Sequence, residues 1–305
     1  MKIIFFGSPD FALPSLRLLK EKENIVAVVT SPAKPTGRGR KEQKTPTQIF
    51  AEANNIKVLA PANPNLPNFW PEVQKFEPDL FVVVSYGFIL CGELLGIPKH
   101  GGINLHPSLL PRYRGAAPIQ WTLIRGETMT GVSIILMNEK MDAGGIIIQK
   151  EFPVLSDDNF DRLSARLAEA GAPILLEAIQ QIKLQKYNLI NQDITQITKA
   201  PKIKKEDCYI KWSQSTDLVY NFIRGLSSEP GARTWFRGQE MKILEVQKAL
   251  EKTAPGTIKV MGKRLLIGTE DGSIAILKLQ PPNKRPQTGI DFINGFHPKD
   301  GEVLS

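Results

Sequence analysis

The feature that most constrains this chain is the rhythm of its first 150 residues, where short apolar runs alternate with helix-patterned segments. The runs fall at residues 2–6, 25–29, 56–59, 80–84 and 103–105. Leu80–Val84 is apolar throughout, as expected of a parallel strand buried on both faces. Gly7-Ser8-Pro9 closes the first run with a turn. Beyond Asp10, a candidate N-cap, Leu13, Leu16 and Leu19 recur at helical spacing with Leu18 beside them. Helices are predicted near 70–76 and over 117–124, and strands over 131–137 and 146–150. Leu163, Leu167, Ile174, Leu175, Ala178 and Ile182 lie on one face of an amphipathic helix over 161–182. Such alternation predicts an α/β class with an open, mostly parallel sheet, whose ligands sit beyond the carboxyl ends of the strands.

The pattern changes after residue 184. Residues 185–205 are polar and read as a linker. The remainder shows short β-rich stretches at 233–236, 241–246, 256–260, 265–268 and 274–279 between Gly and Pro turns. That spacing fits a small barrel or sandwich. The expected division is 1–184, a linker over 185–205, and a second domain over 206–305.

Composition excludes several classes. No apolar run approaches the ~18 residues a membrane span needs. Asp10 and Arg17 interrupt the apolar N-terminus, so it reads as a first strand and not as a signal peptide. Two cysteines, Cys91 and Cys208, offer no disulfide framework and point to a reducing, cytoplasmic setting. Three histidines and two distant cysteines argue against structural zinc. A net charge of +8 is unevenly placed: 22 cationic residues face 19 acidic ones over 1–200, but 17 face 12 over 201–305. Lys34, Arg38, Arg40, Lys41 and Lys44 cluster in the long polar stretch 32–46, opposed there only by Glu42. The plain reading is a solvated surface. The sharper one is a polyanionic partner, since clustered Lys and Arg release counterions from a phosphate backbone.

Nucleotide signatures are missing. Gly7-Ser8-Pro9-Asp10-Phe11 lacks the Gly-x-Gly-x-x-Gly spacing, and Gly37-Arg38-Gly39 is not followed by Gly-Lys-Ser/Thr. The informative stretch is Gly102-Ile103-Asn104-Leu105-His106-Pro107-Ser108-Leu109-Leu110-Pro111-Arg112-Tyr113-Arg114-Gly115. Asn104 and His106, two apart on a strand, point the same way at its carboxyl end. Taken singly, each could simply satisfy a nearby backbone group. Paired at a strand end before a Pro-bracketed loop, they read as a site. Asp142, in Met141-Asp142-Ala143-Gly144-Gly145, could be a turn aspartate or the carboxylate that orients His106 and favours its imidazolium form. Ser108 lacks the Gly-x-Ser-x-Gly setting of a hydrolase nucleophile.

The run from Asn104 to Pro111, with Tyr113-Arg114-Gly115 and Met141-Asp142-Ala143-Gly144, resembles the formyltransferases that use 10-formyltetrahydrofolate. Arg114-Gly115-Ala116-Ala117-Pro118-Ile119-Gln120 is similar to their methionyl-tRNA branch. So are Phe6-Gly7-Ser8-Pro9-Asp10-Phe11-Ala12, Gly37-Arg38-Gly39-Arg40-Lys41, Ser85-Tyr86-Gly87-Phe88-Ile89-Leu90 and Ile210-Lys211-Trp212. The resemblance implies a Rossmann-like formyltransferase fold followed by a small OB-like β-barrel that binds tRNA. It implies Asn104, His106 and Asp142 as the catalytic set. Gly87, Phe88, Ile89, Leu90, Ser108, Leu109, Leu110 and Pro111 would hold 10-formyltetrahydrofolate as formyl donor. Arg38, Arg40 and Lys41 would meet initiator methionyl-tRNA. No metal and no membrane are implied, and a monomer is expected. Where the family often carries a Pro-Trp-Pro-type turn, this chain reads Leu226-Ser227-Ser228-Glu229-Pro230-Gly231.

Other readings share these residues. A formyltransferase for an amino sugar nucleotide would use the same trio, and a 10-formyltetrahydrofolate hydrolase would use water as nucleophile. A basic RNA-binding module with a relic folate site would keep the fold without the reaction. Two separated basic regions, at 34–44 and 201–305, are the feature that favours an RNA acceptor.

Overall fold

The first apolar run forms β1 (Lys2–Gly7), with Ile3, Ile4, Phe5 and Phe6 fully buried, in a computed structural model that describes residues 1–36 and 41–305. The chain continues through α1 (Leu13–Lys22), β2 (Asn24–Val29), the short strands β3 (Lys34–Thr36) and β4 (Lys41–Gln43), α2 (Pro46–Ala53) and β5 (Lys57–Leu59). Next come α3 (Trp70–Gln74), β6 (Leu80–Val84), α4 (Gly92–Leu95), β7 (Gly102–His106), α5 (Pro118–Ile124), β8 (Met129–Leu136), β9 (Ile146–Pro153) and α6 (Phe160–Lys183). The chain divides into two units: Met1–Ala116 with Thr130–Pro153 and Ser164–Ala200, and Ala117–Met129 with Val154–Leu163 and Pro201–Ser305.

The first unit is built on a seven-stranded sheet of order β5-β2-β1-β6-β7-β8-β9. Pairing is parallel from β5 to β7 and antiparallel between β7 and β8. This is the expected open, mostly parallel α/β sheet. The chain winds from β1 outward to β2 on one side and then to β6 on the other, so the strand order reverses beside β1. Loops leaving the carboxyl ends of such strands diverge there and leave a crevice. The core explains the sequence rhythm. Leu16 and Leu19 of α1 are fully buried, and the Phe6 and Phe81 rings pack 4.9 Å apart across neighbouring strands. Each such side chain contributes about 1.5–3 kcal/mol relative to exposure. On α6, Leu163, Leu167, Ile174, Leu175, Ala178 and Ile182 are all buried, as the amphipathic spacing predicts.

The second unit adds α7 (Thr216–Leu226), β10 (Ala232–Phe236), β11 (Gln239–Ala249), β12 (Ile258–Met261), β13 (Arg264–Gly268), β14 (Ser273–Gln280), β15 (Gln287–Thr288) and α8 (Gly289–Phe296). Its sheet runs β10-β11-β14-β13-β12, with β15 on β14, and its mapped pairs are antiparallel. Strands β10 and β12 do not pair directly. The last residues bridge them: the N–H of Trp235 donates to Ser305 O at 2.7 Å, and the N–H of Ile258 donates to Glu302 O at 2.7 Å. A barrel-like closure is thus made by the C-terminal segment. Helices α7 and α8 lie outside the β-rich stretches, in segments to which the sequence pattern assigns no element. The Ser215 hydroxyl caps α7, and Val219, Ile223 and Leu226 bury its inner face.

Candidate active site

Two loops and one strand of the first unit build the site. Asn104 and His106 project from β7, whose register puts Asn104 opposite Ile135 and His106 opposite Ser133 of β8. The chain leaving β8 folds back so that Asp142 reaches both. The Asn104 amide donates to Asp142 Oδ1 at 3.4 Å, and His106 Nδ1 lies 3.5 Å from the same oxygen. The other oxygen, Oδ2, accepts the Gly115 backbone N–H at 2.8 Å. The imidazole is 5% exposed and the carboxylate 13%, so the pair is largely shielded from water.

His106 Nε2 lies 2.9 Å from Tyr113 O. A carbonyl only accepts, so this nitrogen carries a proton. The ring therefore lies between the Tyr113 carbonyl at Nε2 and the Asp142 carboxylate near Nδ1.

The turn that carries Asp142 is tightly determined. Asp142 has φ +50°, a left-handed conformation that aspartate tolerates better than most residues. A Cβ at Gly144 would lie 1.7 Å from Leu136 O, so only glycine fits. The Leu136 N–H donates to Gly145 O at 2.9 Å, which seats the returning strand.

The loop over residues 107–111 is also fixed from within. The Ser108 hydroxyl donates to Arg112 O at 2.7 Å, and the Ser133 hydroxyl donates to Ser108 O at 2.6 Å. Gln149 Nε2 donates to Leu110 O and to Ser133 Oγ. After β6, the segment over 87–91 is pinned by Asn65, whose amide donates to Ile89 O and whose carbonyl accepts the Cys91 N–H. A Cβ at Gly92 would meet Glu139 Oε1 at 2.0 Å, so this segment lies directly beside the Asp142 loop.

Two family models match the chain: a formyl transferase domain over residues 1–179 and a formyl transferase C-terminal domain over 202–297. A curated methionyl-tRNA formyltransferase of Fusobacterium nucleatum subsp. nucleatum is 41% identical over 309 residues, covering 100% of both chains. The chain belongs to the methionyl-tRNA formyltransferase family. A second member, from Thermodesulfovibrio yellowstonii, is 40% identical over 301 residues, 98% of this chain and 97% of that one. Solved structures share the formyltransferase fold. WlaRD, a sugar 3N-formyl transferase, superposes with a TM-score of 0.67 at 21% identity, over 93% of this chain and 99% of that one. A methionyl-tRNA formyltransferase from Clostridium thermocellum superposes at 0.57 and 16% identity, over 81% and 93%.

Asn104, His106 and Asp142, expected from sequence to form the catalytic set, converge in space in this chain. Of the residues expected to hold folate, Leu90 and Ser108 are fully buried and Leu110 nearly so, whereas Phe88 and Ile89 are exposed. Gly87, at φ +90°, has open space where a side chain would stand. Arg38 and Arg40 lie outside the described residues, and Lys41 pairs with Thr36 in the β3–β4 ribbon. The feet of that ribbon are tied to the sheet by hydroxyls: Ser31 N–H donates to Ser8 Oγ, and Thr47 Oγ1 donates to Gly7 O. Among the described residues, no three His, Cys, Asp or Glu side chains are grouped to hold a metal.

Two residues at the site were not singled out from sequence. Arg114 was visible only as part of a motif. Its Nε and Nη2 donate to Gln192 Oε1 at 2.9 and 2.7 Å. Burial pulls the guanidinium below its usual range, and the charge of Asp142 opposes that shift. Gln192 lies in the stretch read as linker, where composition carries no signal of a site. Up to Ala200 that stretch belongs to the first unit.

Proposed function

We propose that the chain transfers the formyl group of 10-formyltetrahydrofolate to the α-amino group of methionyl-initiator tRNA, in the cytosol. The observation that carries this reading is the convergence of Asn104, His106 and Asp142 within 3.5 Å in a chain related over its full length to methionyl-tRNA formyltransferases.

The chemistry follows from the groups. The neutral amine attacks the formyl carbon, a new C–N bond forms, and negative charge develops on the formyl oxygen. Asn104 Nδ2 has a second N–H beyond the one given to Asp142 and would supply it to this oxygen, and His106, whose Nε2 is held at Tyr113 O, would turn an Nδ1 proton from Asp142 to the same oxygen. One such donor is worth roughly 2.7–4 kcal/mol of barrier. Asp142 takes the proton released by the amine. The oxyanion then re-forms the carbonyl, the bond to the folate nitrogen breaks, and that nitrogen takes the proton Asp142 carries, so atoms and charge balance. A neutral amine nucleophile with preset donors asks for no metal.

The residues present suit a folate. Phe88, Ile89 and Met141 expose apolar surface on loops that touch through Gly92 and Glu139, and Gly87 leaves its backbone approachable. These loops, with residues 108–111, would hold the donor. Arg38, Arg40 and Lys41 would meet the tRNA from the long basic loop, and the region over 206–305 would line it. Residues 1–184 would then carry the chemistry.

The test mixes protein and 10-formyltetrahydrofolate with charged initiator tRNA, charged elongator tRNA, an amino sugar nucleotide, or water alone. Donor consumption is expected with charged initiator tRNA far above the other three. Equal consumption with the sugar nucleotide or with water would overturn the reading.

A further inference from the structure

We propose that Gln192 is a positioning residue for formyl transfer, a strut that holds the Asp142 turn in its working place; this rests on the reading above. All the hydrogen-bonding capacity of its amide is spent at the site. Oε1 accepts from Arg114 Nε at 2.9 Å and from Nη2 at 2.7 Å. Nε2 donates to Asp142 O at 2.9 Å and to Gly144 O at 2.8 Å. One side chain thus joins the segment after β7 to the turn between β8 and β9.

The chemistry of the joint selects glutamine. The two carbonyls need a donor and the guanidinium needs an acceptor. Glutamate has no N–H to give, lysine and arginine accept nothing, and asparagine is one methylene shorter. The segment that carries Gln192 is itself tied at both ends. Ile190 exchanges both backbone hydrogen bonds with Ile146 at 2.9 Å. Beyond it, the Arg114 N–H donates to Thr198 O at 2.9 Å, the Ala200 N–H donates to Arg114 O at 2.8 Å, and the Tyr113 N–H donates to Thr198 Oγ1 at 2.8 Å. Gln192 is therefore presented from a braced strap.

What the strut controls is the carboxylate. Asp142 sits at φ +50° between Gly115, which donates to Oδ2, and the Asn104 and His106 side chains at Oδ1. Its longer contacts, at 3.4 and 3.5 Å, are the ones a small rotation of the turn would lose. A backbone in a sparsely populated conformation persists only where its surroundings over-determine it. Gln192 binds the carbonyls of Asp142 and Gly144, on either side of Ala143, and so constrains that rotation directly.

The experiment compares full-length wild type with Gln192→Ala, Gln192→Glu, Asp142→Asn and the double variant Gln192→Ala/Asp142→Asn. Initial rates are taken with charged initiator tRNA and 10-formyltetrahydrofolate. Gln192→Ala is expected to lower kcat at least tenfold while KM for both substrates stays within about twofold. In the Asp142→Asn background the same change should alter kcat less than twofold, because residues acting as a unit are non-additive. Gln192→Glu keeps an acceptor for Arg114 and loses both donations, so it should fall with Gln192→Ala. Wild-type kcat in Gln192→Ala or in Gln192→Glu, or an undiminished tenfold loss in the Asp142→Asn background, would overturn the proposal. Should Gln192→Ala fail to fold, Gln192→Glu with its own Asp142→Asn double carries the same test.

Amide exchange of Gly115, whose N–H donates to Asp142, separates this from the function itself. It should speed up at least tenfold in Gln192→Glu, while core strand amides keep their protection. An unchanged Gly115 rate removes the strut whatever the activity. A wild type that consumes donor with no charged tRNA removes the acceptor assignment and leaves the strut to be judged by exchange alone.

Discussion

Gly144 shows how much a single residue can decide. A methyl group there would stand 1.7 Å from Leu136 O, inside the contact distance of any atom pair. At Gly145 the nearest atom is Leu189 Cβ at 3.1 Å, a contact that needs only a few tenths of an ångström of adjustment. Gly144→Ala is therefore expected to lower the melting temperature by several degrees and to cut activity sharply, with Gly145→Ala much milder. Equal melting temperatures for the two variants would refute this. His106→Ala should reduce kcat by about 10²–10³-fold, the range for one lost oxyanion donor, while circular dichroism and the thermal transition stay near wild type. At this scale the sequence showed Asn104, His106 and Asp142, because strand period, a rigid loop and a Gly-rich turn are local signals. Arg114 and Gln192 were not legible as partners. Their link spans 78 residues of chain and leaves no periodic trace.

Strands and helices carry the next set of consequences. Asp79 precedes β6 and ties it to β1: the Lys2 N–H donates to Asp79 Oδ2 at 2.7 Å, and the Asp79 N–H donates to Lys2 O at 2.8 Å. The hydrogen bond from Lys99, and next that from the Lys2 backbone, hold its carboxyl below the ordinary range against the opposing effect of burial. The folded value lies below the unfolded one of about 3.9, so the ionised form is favoured by folding. This stabilisation is full at neutral pH and is lost as the pH falls through the lowered folded value. Asp79→Asn should cost about 1–2 kcal/mol at pH 7, Lys99 being well exposed and screened. Denaturant midpoints of variant and wild type should converge in acid; a gap independent of pH would contradict the assignment. In the second unit, deleting residues 301–305 removes the bridge between β10 and β12 and should lower the melting temperature, with Trp235 N–H losing its protection. The β-rich stretches were legible from their turns. Helices α7 and α8 were not, because each is short and their apolar faces read equally well as strand fragments.

For the molecule as a whole, charge favours an RNA acceptor. The excess of Lys and Arg falls, along the sequence, at 34–44 and over 201–305. Replacing Arg38, Arg40 and Lys41 together by Ala is expected to weaken tRNA binding and to reduce the slope of log K against log salt by up to about 3, if each meets one phosphate. An unchanged slope would remove that loop from the interface. Long, strongly patterned runs determined the architecture from sequence: burial on both faces demands continuous apolar strands, and helical crossovers demand a period of 3.6. The motif around His106 was equally local. Only the tertiary structure decided that His106 Nε2 meets Tyr113 O, that the C-terminal residues close the second sheet, and that the polar stretch after α6 bonds to Arg114 and to the turn at Asp142. Hydrogen bonds between distant segments are set by where the folded backbone puts donors and acceptors, and one-dimensional pattern holds no record of that distance.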